Sequence, residues 1–418
     1  MFSVFANAWK VPDLRKKLLY VLLILIIYRV GCHIPMPLVD VQALLDYQSG
    51  MGSADSLYSF LVGGGTGTIM AMGIGPYITS SIIMQLLTVA IPKLEQLQKE
   101  GEEGRKKINQ YTRILAVALA FLQGGGTVYT LQHYFIYQNF LVYAMATVAI
   151  VTGTIFIIYL SELLTERGIG NGSSFIIFAN ILSGLPSGVM YFYYTGENAD
   201  FWVWLRIIVV LVLFVFIIGF VILIQNGERR IPVQYSKKMV GRQMYGGSSS
   251  YIPIKVNIAG VMSIIFAISL LQLPQQINGF IDSEGLARVV RVLNNTHPLG
   301  ACLYVFLIFC FTFFYTSFAV NPIEMAENMK KNGGFIPGIR PGKPTSDFIQ
   351  KAIDRLSWIG AVFYAVVAMI PTLIEWIFGL RVGFGGTTLI IVTGVALEIV
   401  KQIESQLLMR HYKGFLNE

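Results

Sequence analysis

GGGTGTIMAMGIGPYITSSIIMQLL, Gly63 to Leu87, opens as a glycine-dense loop and becomes an apolar helix part-way along. In water such an element would have no obvious use. In a bilayer it reads as a spanning segment whose first half is not a full-length helix. Backbone without helical hydrogen bonds is tolerated at membrane depth only where it is buried in protein or lines a wet cavity. The stretch therefore points to a membrane protein with something to pass, or to seal, at this break.

The rest of the chain agrees. It has 418 residues, 55% of them hydrophobic and only 13% charged, which excludes a disordered chain and argues against an ordinary soluble domain. Apolar runs of about 20 residues, each long enough to cross ~30 Å of hydrocarbon, recur along the whole length. The sequence predicts ten spans, at about 18–34, 69–91, 110–130, 142–163, 173–194, 202–224, 256–274, 300–320, 356–378 and 384–401. The amino-terminal MFSVFANAWKVPDLRKK is amphipathic and basic and does not read as a cleavable leader. The three cysteines, Cys32, Cys302 and Cys310, lie in or beside apolar runs and read as buried, inert thiols.

Charge placement tests the count. With a cytosolic amino terminus, 26 of the 31 Lys and Arg residues fall on segments that alternation puts inside. That is the positive-inside bias, and it sets both termini in the cytosol. The outside segment from Asp40 to Thr68 carries three Asp and no Lys or Arg. Gln275 to Leu299 departs from the pattern: it is an outside loop holding Arg288 and Arg291. Two inside loops are long, Gln225–Lys255 and Asn321–Phe348. They are rich in Gly, Pro and basic residues, with Tyr, Met and Phe interleaved, and read as projecting turns and hairpins that dock a partner.

The fold expected is an all-α membrane protein of ten transmembrane helices in two pseudo-symmetric halves of five. The first half covers residues 1–195. Residues 196–255 form the sixth helix and first long loop, and residues 256–418 complete the second half, with its own loop at about 321–350. The glycine-broken second span and the FGGTTL opening of the last, Phe384 to Leu389, suit inverted repeats whose irregular helices meet at the midplane.

Catalytic signals are missing. The GGGTGT run is followed by Ile69 and Met70 rather than Lys and Ser or Thr, and no strand precedes it, so it is no phosphate loop. His33, His133, His297 and His411 are scattered without metal-ligand spacing. No Asp, Glu or His lies at the centre of a span, where a coupled transporter or intramembrane protease would need one. The reading is no enzyme, no cofactor, no metal and no nucleotide site. What the spans carry instead is isoleucine. Ile74 and Ile78 share one helix face, and so do Ile177 and Ile181. Spacing alone fits ordinary interhelical packing as well as a hydrophobic constriction that excludes water and ions.

Several long stretches resemble the SecY/Sec61-alpha family of protein-conducting channels: GIGPYITSSIIMQLLT, EGEEGRKKINQYTR, RGIGNGSSFIIFANILSGLP, RRIPVQYSKKMVGRQMYGG, NPIEMAENMKKNGGFIPGIRPGKPT and FGGTTLIIV, in this order. The resemblance implies a channel that passes unfolded polypeptide across a bacterial inner membrane and releases transmembrane segments sideways into lipid. The alternative class is an inverted-repeat transporter of a small solute. The resemblance further implies an hourglass pore with a ring of Ile74, Ile78, Ile177, Ile181, Ile265 and Ile391, and a plug at about Ser56 to Gly67. It implies a lateral gate with Gln85 at its seam, and docking of a ribosome or the SecA motor by Arg340, Arg229, Arg230, Lys237, Lys238 and Arg242. The implied small subunits are SecE and SecG. Where the family often has Pro in the seventh helix this chain has Ser263, which bears on a kink there and on the inward placement of Ile265.

Overall fold

The computed structural model describes residues 8–40, 67–197, 201–235, 238–240, 243–245, 249–281, 284–294, 297–378 and 386–415. A helix occupies each of the ten predicted spans. In chain order the helices are α1 (Pro12–Gly31), α2 (Gly75–Ala90), α3 (Pro92–Lys99), α4 (Glu102–Thr130), α5 (Phe140–Arg167), α6 (Gly172–Glu197) and α7 (Phe201–Asn226). After a set of strands come α8 (Met262–Ile281), α9 (Glu284–Leu293), α10 (Pro298–Ala319), α11 (Pro322–Lys331), α12 (Lys343–Phe378) and α13 (Gly386–Phe415). Among the described residues, four helices are long and apolar enough to cross a membrane by themselves. The bent pair α2–α3 makes a possible fifth, its axes 101° apart. Apolar side chains face outward, as lipid requires: Val215 and Phe216 on α7 are 72% and 74% exposed. Cys302 and Cys310 sit on such an outward surface of α10, so of the three thiols Cys32 alone is buried as expected.

Several span boundaries move. The second helix begins at Gly75, six residues later than predicted, because Gly67–Ile74 is a run of turns. The third begins at Glu102 and the ninth at Lys343, well before their apolar windows. Hydrophobicity marks where a helix enters lipid, not where it starts, and both helices begin on polar amphipathic turns. The seventh runs later than predicted, from Met262 to Ile281.

The chain forms two compact units: residues 1–208, 271–292 and 374–418, and residues 209–270 and 293–373. In the first, α2 packs along α4, α4 along α5, α5 along α6, and α6 along α13 and α1. The Tyr28 hydroxyl of α1, fully buried, donates to Asn180 Oδ1 of α6 at 2.5 Å. The α5–α6 turn, RGIGNGSS, is tight by construction: Gly170 has φ +89°, and a Cβ on Gly172 would lie 1.9 Å from the Ser161 carbonyl oxygen. Beside it, Ile169 packs with Ala8, Leu14 and Ile403, so both ends of the chain close on this turn.

The second unit adds a small sheet to its helices. Residues 228–235, 249–255 and 334–335 form a three-stranded antiparallel sheet in the order β4–β1–β5. Here β1 is Glu228–Tyr235, β4 Ser249–Lys255 and β5 Gly334–Phe335, while β2 (Lys238–Val240) and β3 (Gln243–Tyr245) make a separate hairpin between β1 and β4. Glu228 pairs with Lys255 and Gln234 with Phe335, so the two long loops share one sheet instead of projecting as separate hairpins. Alternation does the work in β1: Ile231 and Val233 point to a core with Ile254, Met329, Ile336, Ile349 and Ile353, while Arg229, Arg230 and Gln234 face out. The first turns of α12 lie over this sheet, which is why that helix starts thirteen residues before its predicted span.

Candidate functional site

The broken second span is held from three sides. Its backbone groups cannot be left bare at membrane depth, since each unpaired group in hydrocarbon is worth several kcal/mol. They are paired. Met36 N donates to the Gly67 carbonyl at 2.7 Å and Ile69 N to the Ile34 carbonyl at 3.0 Å, stitching the turns to the chain that leaves α1. Within the turns, Ala71, Gly73 and Gly75 N–H groups donate to Thr68, Met70 and Met72. Packing adds the second side: Met72 sits in a core with Met36, Val128, Leu131, Phe135, Val142 and Ile150. The third side is α5, where Gly153 leaves room for the Ile69 carbonyl; a Cβ there would lie 2.2 Å from that oxygen. Gly73 has φ +51°, a left-handed conformation that glycine adopts without strain.

This scaffold delivers Ile74, fully buried, as the residue that caps α2, and Ile78 one turn later, half-buried. Ile177 and Ile181 are buried at 5% and 1% on α6, and Ile391 at 2% on α13, the helix packed against α6. Five of the six isoleucines therefore belong to the first unit, two at α2, two on α6 and one on α13. Ile265 is buried in the first turn of α8, in the second unit. Ser263, two residues earlier, is fully buried and its hydroxyl lacks a hydrogen-bond partner. The helix has its proline at Pro274 instead.

Gln85 lies half-buried on α2. Its amide nitrogen reaches Ser81 Oγ at 3.4 Å, and its carbonyl oxygen is buried without a partner. A turn further towards the start of α2, Ser80 donates to the Thr112 carbonyl of α4 at 2.6 Å. The same two motifs explain the α3–α4 corner: Gly101 has φ +82°, and a Cβ on Gly104 would lie 1.7 Å from the Leu97 carbonyl oxygen. Arg113 of α4 pairs with Glu162 of α5 near the end of the span.

The basic residues gather on the sheet of the second unit. Arg229 and Arg230 face outward on β1. Arg230 lies 4.8 Å from the centre of the Tyr251 ring and 2.7 Å from Glu228 Oε1. The hydrogen bond to Glu228 raises its pKa further, with the Tyr251 ring adding to it. Arg340 is exposed on the loop between β5 and α12, between Gly338 at φ +82° and Gly342 at φ +103°. Its carbonyl accepts from Thr345 Oγ1 at 2.9 Å, and Ile336 anchors the loop in the sheet core. Lys238 lies on β2. Lys237, Arg242 and the plug segment Ser56–Thr66 lie outside the described residues. Sequence reasoning missed Gly153, Met72 and Ile336; for Ile336 the alternation of Ile231 and Val233 was the available signal.

The SecY family model matches residues 68–400, from the turns of the broken span into α13. The protein translocase subunit SecY of Streptomyces coelicolor is 44% identical over 439 residues, covering 100% of both chains. The chain belongs to the SecY family. Two solved structures show the same fold. One, described as the structure of a protein conducting channel, aligns with a TM-score of 0.68 at 19% identity, over 92% of this chain and 91% of that one. The other is Sec61 in a canine ribosome–channel complex, with a TM-score of 0.63 at 16% identity over 92% and 91%.

Proposed function

We propose that this SecY-family chain is the protein-conducting channel of a translocase, passing unfolded polypeptide through a waist lined by Ile74, Ile78, Ile177, Ile181, Ile265 and Ile391. The observation that carries the reading is the broken second span. Its non-helical half is hydrogen-bonded at every second N–H and braced by α5, yet it ends in a buried isoleucine. A span that needed only to cross lipid would run as an unbroken helix. A greasy waist suits an arbitrary substrate: it dewets against ions, and it offers no fixed hydrogen bonds for a passing chain to stick to. Full-length similarity to a protein translocase subunit supports this reading over a small-solute transporter.

In the same reading the halves 1–195 and 196–418 clamp the pore, and Ser56–Gly67 plugs it. The lateral gate runs past Gln85, whose unpaired carbonyl would weaken an apolar seal at that point. The basic sheet face and the Arg340 loop, with Lys237, Lys238 and Arg242, dock a ribosome or the SecA motor, and SecE and SecG complete the assembly. The membrane is a bacterial inner membrane, with both termini cytosolic.

The test is site-specific photocrosslinking. A photoreactive residue at Ile78, and separately at Ile181, is probed against a stalled secretory polypeptide in reconstituted vesicles. Adducts at both positions are expected. A polypeptide that crosses the membrane without an adduct at either would mean that the isoleucines only pack.

A further inference from the structure

Helix α9, EGLARVVRVL, has no part in the waist or in docking, and its composition is not that of a connector. At 100° per residue, Leu286, Val289, Val290 and Leu293 share one face, and Arg288 and Arg291 the opposite one. Leu286, Val290 and Leu293 are half-buried, but Val289 and Val292 remain 48% and 38% exposed beside the exposed arginines. Exposed valines and arginines thus lie along adjacent edges of the helix. Among the described residues neither arginine has a carboxylate partner; the Arg291 Nε donates to its own helix, to the Ala287 carbonyl at 3.3 Å.

The position of α9 is tied to the membrane surface. It starts three residues after the end of α8. Its far end folds directly into α10: His297 N donates to the Asn294 carbonyl at 2.9 Å, and a Cβ on Gly300 would lie 2.2 Å from that same oxygen. The His297 ring then caps α10 by accepting from Leu299 N at 3.3 Å. α10 is long and apolar enough to cross a membrane and α8 is apolar from Met262 to Pro274; with both spanning, a helix a few residues from each lies at the headgroup level. In the ten-span topology this is the side where Lys and Arg are otherwise scarce, so retention of topology does not explain the two arginines.

We propose that α9 is an interfacial helix that binds anionic lipid, with Val289 and Val292 in the upper acyl region and Arg288 and Arg291 on lipid phosphates. The charge complementarity is direct, and the guanidinium fork suits a phosphate. The inference needs α8 and α10 to cross the membrane, but not the isoleucine waist.

The test uses the full chain with Cys32, Cys302 and Cys310 replaced by Ala and a nitroxide on Val289→Cys. It is reconstituted in phosphatidylcholine vesicles with and without phosphatidylglycerol. The nitroxide is expected to be accessible to oxygen and shielded from a water-soluble nickel chelate. Preference of the site for spin-labelled phosphatidylglycerol over phosphatidylcholine should fall about 5-fold for each of Arg288→Gln and Arg291→Gln at low salt. Nickel accessibility equal to that of an aqueous loop would overturn the proposal. So would an unchanged lipid preference in the double variant, or shielding from both reagents with crosslinks to polypeptide, which would make the occupant a protein. Loss of translocation with normal lipid contact would instead implicate the channel reading.

Discussion

Gly153→Ala is the sharpest probe of the broken span. The added methyl would stand 2.2 Å from the Ile69 carbonyl oxygen, 2.9 Å from its carbon and 3.0 Å from its Cγ2. Ordinary contact with that oxygen needs about 1 Å more, and a backbone carbonyl cannot rotate aside as a side chain can. Overpacking of this kind costs about 1–3 kcal/mol. The strain falls on the turns that carry Ile74, so it destabilises the braced arrangement of these turns and not the helices on either side. If an open arrangement relieves it, the ratio of open to sealed channels rises about 5- to 150-fold. Single-channel recording in planar bilayers reads that ratio as resting ion conductance, and thermal unfolding in detergent reads the strain itself. Gly101→Ala is the control. Gly101 has φ +82° and ψ −138°, a conformation kept almost wholly to glycine, with nothing within 4 Å of the added methyl, so the substitution costs about 1–3 kcal/mol of backbone strain at the α3–α4 corner, away from the turns. Gly153→Ala with wild-type conductance and wild-type melting would refute the claim that α5 braces the turns.

Three further outcomes are expected. Ile78→Asn or Ile181→Asn places an amide in the proposed waist, and should raise ion leak and let signal-defective substrates be secreted; unchanged leak and unchanged selectivity would count against the ring. Arg340→Glu should abolish most motor-driven translocation in vesicles while leaving the chain inserted, because the loop stays anchored through Ile336 and Thr345; normal transport would remove Arg340 from docking. Tyr28→Phe deletes the buried donor to Asn180 and should lower stability by about 1 kcal/mol, read as a lower melting temperature; an unchanged melting curve would show that this bond does not tie α1 to α6.

The break in the second span was legible because glycine density and apolarity together have few uses in lipid. Its bracing was not, because the partners Met36, Ile34 and Gly153 are distant in sequence and only Gly153 carries a hint, being a glycine within an apolar run. Boundaries of α4 and α12 were missed for a different reason: their first turns are amphipathic and bury residues against protein, not lipid. The third strand of the sheet was missed because Gln234 and Phe335 pair across a separation that no local pattern reports. The isoleucines of the waist stayed ambiguous by spacing, and burial does not separate a closed ring from a packed core. Family membership carries them to a proposal.

Helix α12 runs from the sheet core through Pro371 to Phe378, 36 residues in all. At 1.5 Å per residue that is a rod of about 54 Å, against ~30 Å of hydrocarbon. The surplus makes it a lever arm. With its first turns gripped by Ile231, Val233 and Ile336, whatever presses on the Arg340 loop tilts the rod as well. Each degree of tilt swings the far end by about 1 Å over that length, so a small push outside the bilayer becomes a displacement of atomic size deep within it.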